Sequence, residues 1–129
     1  MSVPASENSP ILHVDDDTFE RDVMGARGAL VLDFWAPWCA PCRRLGAALE
    51  RLAPEFAGRV RVAKIDVDRN PRTAARFGVQ SIPTMVFFAD GRPIGGATGA
   101  LPESTLRDLF SRHAEGKLAV EEDGTPAEG

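Results

Sequence analysis

The fold of this chain is decided by residues 29–42, Ala29-Leu30-Val31-Leu32-Asp33-Phe34-Trp35-Ala36-Pro37-Trp38-Cys39-Ala40-Pro41-Cys42. The nearly continuous apolar run of the first half predicts a strand that is buried on both faces, as parallel strands are. A helix is predicted next, because apolar residues then recur every three or four positions, at Leu45, Leu49, Leu52 and Phe56. Cys39 therefore stands at the start of a helix, where backbone N–H groups lack partners, and Cys42 extends the apolar stripe inward.

Cys39 and Cys42 are the only two cysteines among the 129 residues. Two thiolates are too few for a structural zinc site within one chain, which takes four ligands. A secreted disulfide scaffold would carry more cysteines in a smaller domain. The pair is therefore either a reversible dithiol–disulfide centre or two thiols that merely lie close together. A further alternative is zinc or an iron–sulfur cluster held by four thiolates pooled from two chains.

Strands are predicted wherever short apolar runs end in turn residues. Asp90-Gly91 is a two-residue hairpin signal, and Pro93 in the returning strand is tolerated only at the edge of a sheet. In chain order the predicted strands cover residues 11–14, 29–35, 60–65, 84–88 and 92–98.

Helices are predicted between these strands. Asp17 and Glu20 have the spacing of a capping box, Asn70-Pro71 predicts the start of a short helix that Gly78 ends, and Pro102 opens the last helix. The order is β-α-β-α-β-α-β-β-α. We therefore predict an α/β fold with a central mixed β-sheet, a parallel portion plus an antiparallel C-terminal hairpin, flanked by helices on both faces.

The length and composition fit one globular domain, with 43% hydrophobic and 26% charged residues. We predict a domain at residues 11–114, between a flexible N-terminal tail, residues 1–10, and a flexible acidic C-terminal tail, residues 115–129. The net charge of −4 argues against nucleic acid as a partner. No apolar run approaches the ~20 residues that a membrane helix needs. Because residues 1–10 lack the basic and apolar regions of a secretory signal, we expect a cytoplasmic protein.

Residues 33–42 resemble the active-site segment of the thioredoxin family, and the likeness covers about residues 11–113. A C-x-x-C pair alone is a weak signal, but one that follows an apolar strand and precedes an Ile-Pro-Thr segment is a strong one. The further matching segments stand in the family's order: Ala63-Lys64-Ile65-Asp66-Val67-Asp68, Arg76-Phe77-Gly78-Val79, Ser81-Ile82-Pro83-Thr84 and Gly99-Ala100-Leu101.

The chain departs from the family pattern in three places. Ala40 stands where the family usually has glycine, and Ala47 stands where it usually has a kinking proline. The Ser81-Ile82-Pro83-Thr84 segment looks like that of bacterial thioredoxins with an N-terminal zinc module, which this sequence does not contain. These departures bear on the redox potential and the partners more than on the fold.

The resemblance implies a general protein-disulfide reductase that cycles between dithiol and disulfide and maintains cell redox homeostasis. Cys39, with its thiolate stabilised at a helix N-terminus, would be the nucleophile, and Cys42 would be the resolving thiol. No cofactor and no metal are expected, because the redox-active disulfide itself carries the electrons. The implied partners are disulfide-containing protein substrates and an NADPH-dependent flavoprotein, thioredoxin reductase. We expect the protein to be a monomer.

Asp33 is the charged exception in its apolar strand. Burial would raise the pKa of this carboxyl and suit it to accept the proton of Cys42 as that thiol attacks. The alternative is that Asp33 lies at a wet strand end. The resemblance places Lys64 on the neighbouring strand as a candidate modulator of Asp33, although an ordinary surface lysine is an equal alternative.

The resemblance also implies a substrate groove beside Cys39. Ile82-Pro83 would form a cis-proline loop that faces the cysteines. Trp35 would either take part in the active site or only pack in the core. We expect His13 and His113 at the surface. The implied motif and groove residues are Trp38, Ala40, Pro41, Ile82, Pro83, Gly99 and Ala100.

Two other functions compete with the reductase. In a binding module or chaperone-like subunit, the same surface would contact partners and the thiols would be incidental. A dedicated oxidant is disfavoured, because oxidising relatives usually carry histidine between the cysteines and a signal peptide.

Overall fold

The computed structural model describes residues 10–118 and has the predicted strands and helices in the predicted order. The first helix is a single π-helical turn, and the second, which begins inside the cysteine motif, is the longest. The elements are β1 Ile11–Val14, α1 Glu20–Met24, β2 Ala29–Trp35, α2 Ala40–Glu55, β3 Val60–Asp66, α3 Pro71–Arg76, β4 Thr84–Ala89, β5 Arg92–Thr98 and α4 Glu103–Ala114.

The five strands form one mixed sheet in the order β1-β3-β2-β4-β5. The pairs β1–β3 and β2–β3 are parallel, whereas β2–β4 and β4–β5 are antiparallel, which confirms the predicted α/β fold. The apolar strand β2 is the middle strand and is buried along its length. Pro93 lies on the edge strand β5, as predicted, beside an irregularity in the pairing with β4.

Helices cover both faces of the sheet, and each face has its own core. Alternate residues of β2 enter opposite cores, so Val31 packs under α2 and α4 while Leu30, Leu32 and Phe34 pack with α1 and α3. Asp33 shares a face with Val31. Its carboxyl therefore points to the side of the sheet that α2 covers, and α2 is the helix that carries Cys42.

The capping box predicted at Asp17 is wrong. Asp15 caps the turn before α1 instead: its Oδ1 accepts hydrogen bonds from the backbone N–H groups of Asp17 and Thr18, each at 2.9 Å. At the start of α3 the Asp16 carboxylate accepts from the backbone N–H of Thr73 at 2.8 Å. This cap comes from a segment more than fifty residues away, so local sequence rules do not reveal it.

His113 is buried, with 4% of its surface exposed, and the prediction that it lies at the surface is wrong. Its Nε2 lies 3.2 Å from the Leu30 carbonyl oxygen, and its ring packs edge-on against Phe87. The position continues the apolar stripe of α4, because residue 113 falls one turn after the buried Leu109 and Phe110. His113 therefore ties α4 to the sheet. His13 is exposed, as expected.

The described chain continues past residue 114, where the sequence prediction ends the domain. The backbone N–H of Gly116 donates to the His113 carbonyl at 3.1 Å, and that of Lys117 donates to the Arg112 carbonyl at 2.8 Å. Leu118 is buried against the α2–α4 core. Residues 115–118 therefore fold back onto the domain instead of starting a tail. Residues 1–9 and 119–129 lie outside the described part, so flexibility there stays a prediction.

Within residues 10–118, no helix combines the length and the apolar character that crossing a bilayer requires.

Candidate active site

Cys39 and Cys42 form a disulfide at the first turn of α2. Cys39 is the N-cap residue, with an extended backbone, and its Sγ accepts a hydrogen bond from the backbone N–H of Cys42 at 3.2 Å. Pro41 occupies the first turn, where a missing N–H leaves no helical bond unmade. Donors at a helix N-terminus favour negative charge, so this position stabilises a thiolate at Cys39 once the disulfide is reduced.

The disulfide lies in an apolar setting. The exposed fraction is 5% for Cys39 and 1% for Cys42, so Cys39 is the slightly more accessible residue of the pair. Trp35 and Ile82 pack against the pair. Water is therefore largely excluded from both sulfur atoms, which strengthens their interaction with the helix N–H groups.

The Ile82-Pro83 loop faces the cysteines, and the peptide bond between its two residues is cis. The carbonyl oxygen of Ile82 lies 3.9 Å from Cys39 Sγ. The carbonyl of Pro83 accepts a hydrogen bond from the N–H of Gly99 at 2.8 Å. These contacts bring Ile82, Pro83 and Gly99 together beside Cys39, whereas Ala100 packs half-buried against the α2–α4 core.

Trp38 is the exposed large apolar side chain of the described chain, with 67% of its surface accessible. Its indole Nε1–H donates to the Asp68 carboxylate at 2.7 Å. Trp38 follows the carboxyl end of β2 and Asp68 follows that of β3, so the parallel pairing brings them together. Asp68 is not among the site residues predicted from the sequence. The position of Asp68 just after a strand parallel to β2 was the available signal.

Asp33 is completely buried, which rules out the alternative of a wet strand end. Neither carboxylate oxygen has a hydrogen-bond partner within the described chain. In the sheet Asp33 lies between Lys64 on β3 and Met85 on β4. Burial raises the pKa of Asp33 to about 7, because the ionised form loses its hydration, and the positive charge of Lys64 partly opposes that rise.

Lys64 is half-buried beside the site instead of free in solvent. Its Nζ lies 4.3 Å from the centre of the Trp35 ring, a cation–π contact. On the helix side it passes close to Gly46, where an added Cβ would lie 3.2 Å from Nζ. The ammonium group is thus held between the sheet and α2, and it acts on Asp33 through space without a hydrogen bond.

Metal ligands do not gather anywhere in residues 10–118: no three of the His, Cys, Asp and Glu side chains there are arranged to hold an ion. A cluster shared between two chains would need both cysteines of each chain as thiolates.

Comparisons with known proteins agree with this geometry. The family model described as Thioredoxin matches residues 10–112. The chain is 44% identical over 105 residues to a thioredoxin of Haemophilus influenzae, which covers 81% of this chain and 98% of that protein. It is 40% identical over 103 residues to a thioredoxin of Staphylococcus haemolyticus, covering 80% and 97%. It is 35% identical over 117 residues to an M-type chloroplastic thioredoxin of Pisum sativum, covering 83% and 68%.

Proposed function

We infer the roles of individual residues from the premise that this chain belongs to the thioredoxin family and works as a disulfide oxidoreductase. The activity is thiol–disulfide exchange at Cys39 and Cys42, which cycle between dithiol and disulfide. Its substrates are proteins that carry disulfides, and a reductase returns it to the dithiol form. The observation that carries the proposal is the disulfide at the N-terminus of α2, with Cys39 Sγ accepting the Cys42 N–H.

Cys39 is the proposed nucleophile. Its thiolate attacks one sulfur of a substrate disulfide, a new bond forms between Cys39 and that sulfur, and the other substrate sulfur leaves as a thiolate. Two features support this assignment: the N-cap position of Cys39 and its slightly greater exposure. The anion is favoured by helix N–H groups that have no intrahelical partner.

Cys42 is the proposed resolving thiol, and Asp33 is its proposed proton acceptor. The Cys42 thiol transfers its proton to the Asp33 carboxylate, its sulfur attacks Cys39 Sγ, and the substrate sulfur departs as a thiolate. Two electrons thereby pass from the dithiol to the substrate. A pKa of about 7 suits Asp33 to accept and release a proton near neutral pH. Lys64, which lowers that pKa by its charge, is the proposed modulator.

The substrate peptide is proposed to bind beside Cys39. The loop at Ile82 and Pro83, the adjacent Gly99 and the exposed ring of Trp38 support this location, because they surround the outer sulfur with apolar surface and backbone groups. Ala40 and Pro41, which lie between the two cysteines, complete the proposed binding surface. Ala100 follows Gly99 and leads from this surface toward the core.

The wider setting is also a proposal. We place the protein in the cytoplasm, as a monomer that binds no cofactor, and we identify its reductase as an NADPH-dependent flavoprotein. Membership of the thioredoxin family supports these points, and the dithiol chemistry, which needs no further redox group, supports the absence of a cofactor.

Insulin-disulfide reduction tests the proposal. The purified protein should accelerate the appearance of turbidity from reduced insulin when dithiothreitol is the electron source. It should do the same when a flavoprotein reductase and NADPH replace dithiothreitol. Cys39→Ser should abolish the acceleration under both conditions. Acceleration with dithiothreitol but not with the reductase would leave the exchange chemistry intact and contradict the proposed partner.

If the wild-type protein gives no acceleration at all, the result favours a binding module over a reductase. Measuring zinc and iron in the same preparation tests the shared-cluster alternative, because a metal-free, colourless monomer excludes it.

A further inference from the structure

The described chain ends in a cleft at the pole of the molecule opposite the cysteines. After α4 the backbone turns at Gly116, and the buried Leu118 lines this cleft beside Gly28 and Gly58. Gly28 and Gly58 precede the amino ends of β2 and β3, whereas Cys39 follows the carboxyl end of β2. The chain beyond Leu118 therefore continues from the pole that is remote from the active site.

A second cleft adjoins the first and is lined by several arginines. The two clefts share a wall formed by Gly28, Ala29, Gly58 and Arg59. Arg27 and Arg61 also line the second cleft, so it has three arginines and no carboxylate among its lining residues. All three arginine side chains are exposed to solvent. We call this second cleft the arginine cleft.

No ion pair within residues 10–118 neutralises the arginines of the cleft, although one carboxylate borders it: Asp90 Oδ1 accepts a hydrogen bond from the N–H of Gly28, on the shared wall, at 2.7 Å. Arg27 and Arg61 form no ion pair there, and Arg59 donates to a backbone carbonyl instead of a carboxylate. Arg61 acts through space on Asp22, but that carboxylate is already bonded to Arg21 at 2.9 Å. Three arginines that converge beside a single carboxylate leave an excess of positive charge, and such a surface favours a bound anion.

The segment that follows Leu118 carries the complementary charge. Residues 119–129 contain four carboxylates and no lysine or arginine, whereas residues 1–9 contain one carboxylate. Three of the four are consecutive and begin three residues after Leu118. The carboxylates of residues 119–129 are Glu121, Glu122, Asp123 and Glu128.

The consecutive carboxylates are within reach of the arginine cleft. Three to five residues of extended chain span about 10–18 Å, and the two clefts share a wall, so the chain needs only to cross from one to the other. We propose that the acidic segment 119–129 docks in the arginine cleft of its own chain. A single exposed ion pair is weak, but the tether raises the effective concentration of the segment to the millimolar range and several pairs act together.

Amide chemical shifts of the full-length protein test the docking. The triple variant Glu121→Gln/Glu122→Gln/Asp123→Asn should shift the amides of residues 27–29 and 57–61 relative to wild type. Salt of 0.5 M should produce the same shifts in wild type, because it screens exposed charges. Shifts confined to residues 115–118, or absent, overturn the proposal. Shifts that grow with protein concentration also overturn it, because they report docking on a second copy.

Cleavage at Glu121 and Glu122 by a glutamate-specific protease gives an independent measure. Arg27→Gln/Arg61→Gln should speed this cleavage at least about threefold at low salt, the scale expected when a few exposed ion pairs are lost. Arg69→Gln is the matched control, since it removes an exposed positive charge at the other pole and should leave the rate unchanged. Equal rates in all three proteins overturn the proposal. Insulin reduction should be unaffected by every variant, so the outcome is separable from the proposed function.

Discussion

Replacing Asp33 by asparagine should stabilise the protein at neutral pH and slow its turnover. The substitution keeps the size of the side chain and removes an ionisable group that is fully buried and has no hydrogen-bond partner in the described chain. A carboxylate in such a place disfavours folding, because ionisation there loses the hydration it has in the unfolded chain. More stability together with less activity is what is expected of a residue retained for function.

The size of the effect follows from the pKa of Asp33. Burial raises it from 3.8 to about 7, and each pKa unit corresponds to about 1.4 kcal/mol, so at pH 7 the wild-type carboxyl destabilises the folded state by roughly 4 kcal/mol. An unpartnered asparagine amide itself costs roughly 1–3 kcal/mol. We therefore expect a net gain of about 1–3 kcal/mol for the variant.

Denaturant unfolding of the oxidised proteins between pH 4 and 8.5 measures this gain. Between about pH 4 and 7 the folded wild type keeps a proton on Asp33 that the unfolded chain releases. The contribution of this group to wild-type stability therefore falls as pH rises through that window and levels off above it. The stability of the variant relative to wild type should be highest above pH 7 and should fall by roughly 3 kcal/mol toward pH 4, because the wild-type penalty is lost there while the cost of the amide stays.

An exposed carboxylate provides the control. Asp108→Asn, on the solvent side of α4, should change the free energy of unfolding by less than about 0.5 kcal/mol across the same range. In the insulin assay Asp33→Asn should be about tenfold slower or more, because Cys42 loses its proposed proton acceptor. A variant that is less stable at pH 7, or that reduces insulin as fast as wild type, refutes the reasoning.

Three further outcomes are expected. Cys42→Ser should accumulate mixed disulfides with substrate proteins on a non-reducing gel, and Cys39→Ser should accumulate none. If an alkylating reagent labels Cys42 before Cys39 at neutral pH, the two roles are assigned the wrong way round. Compared with the glycine usual in the family, Ala40 adds a methyl group and no charge. Equilibration with glutathione should therefore give the Cys39–Cys42 pair a reduction potential within a few tens of millivolts of the about −270 mV of thioredoxin. A value near −180 mV would contradict a role as a reductant. Burial lowers the pKa of His113, so the unfolded chain binds a proton at a higher pH than the folded chain does, and stability should fall as pH drops below about 6.5. In thermal unfolding this fall should be shallower for His113→Gln. An identical slope for both proteins would disprove that His113 causes it.

The sequence alone predicts the unit formed by β2, the cysteine motif and α2. The apolar run of β2 and the stripe of α2 are patterns over neighbouring residues, and they place Cys39 at the helix start and Cys42 on its inner side without reference to the rest of the chain. Turn chemistry is equally local, which is why the hairpin at Asp90-Gly91 and the edge position of Pro93 were predictable.

The surroundings of the functional groups depend on residues that are distant in sequence. The register of β2, β3 and β4 decides that Asp33 lies beside Lys64 and Met85 with no hydrogen-bond partner in the described chain. The parallel ends of β2 and β3 decide that Trp38 meets Asp68.

The same holds at the other end of the molecule. The packing of α4 on the sheet buries His113, and the turn after α4 carries Leu118 into the core, although the sequence predicts that the domain ends with α4. Sequence by itself determined the elements and the reactive pair, because periodicity, caps and turns act over a few residues. Only the tertiary structure decided burial, pKa and partners, because these are properties of the neighbours that folding brings together.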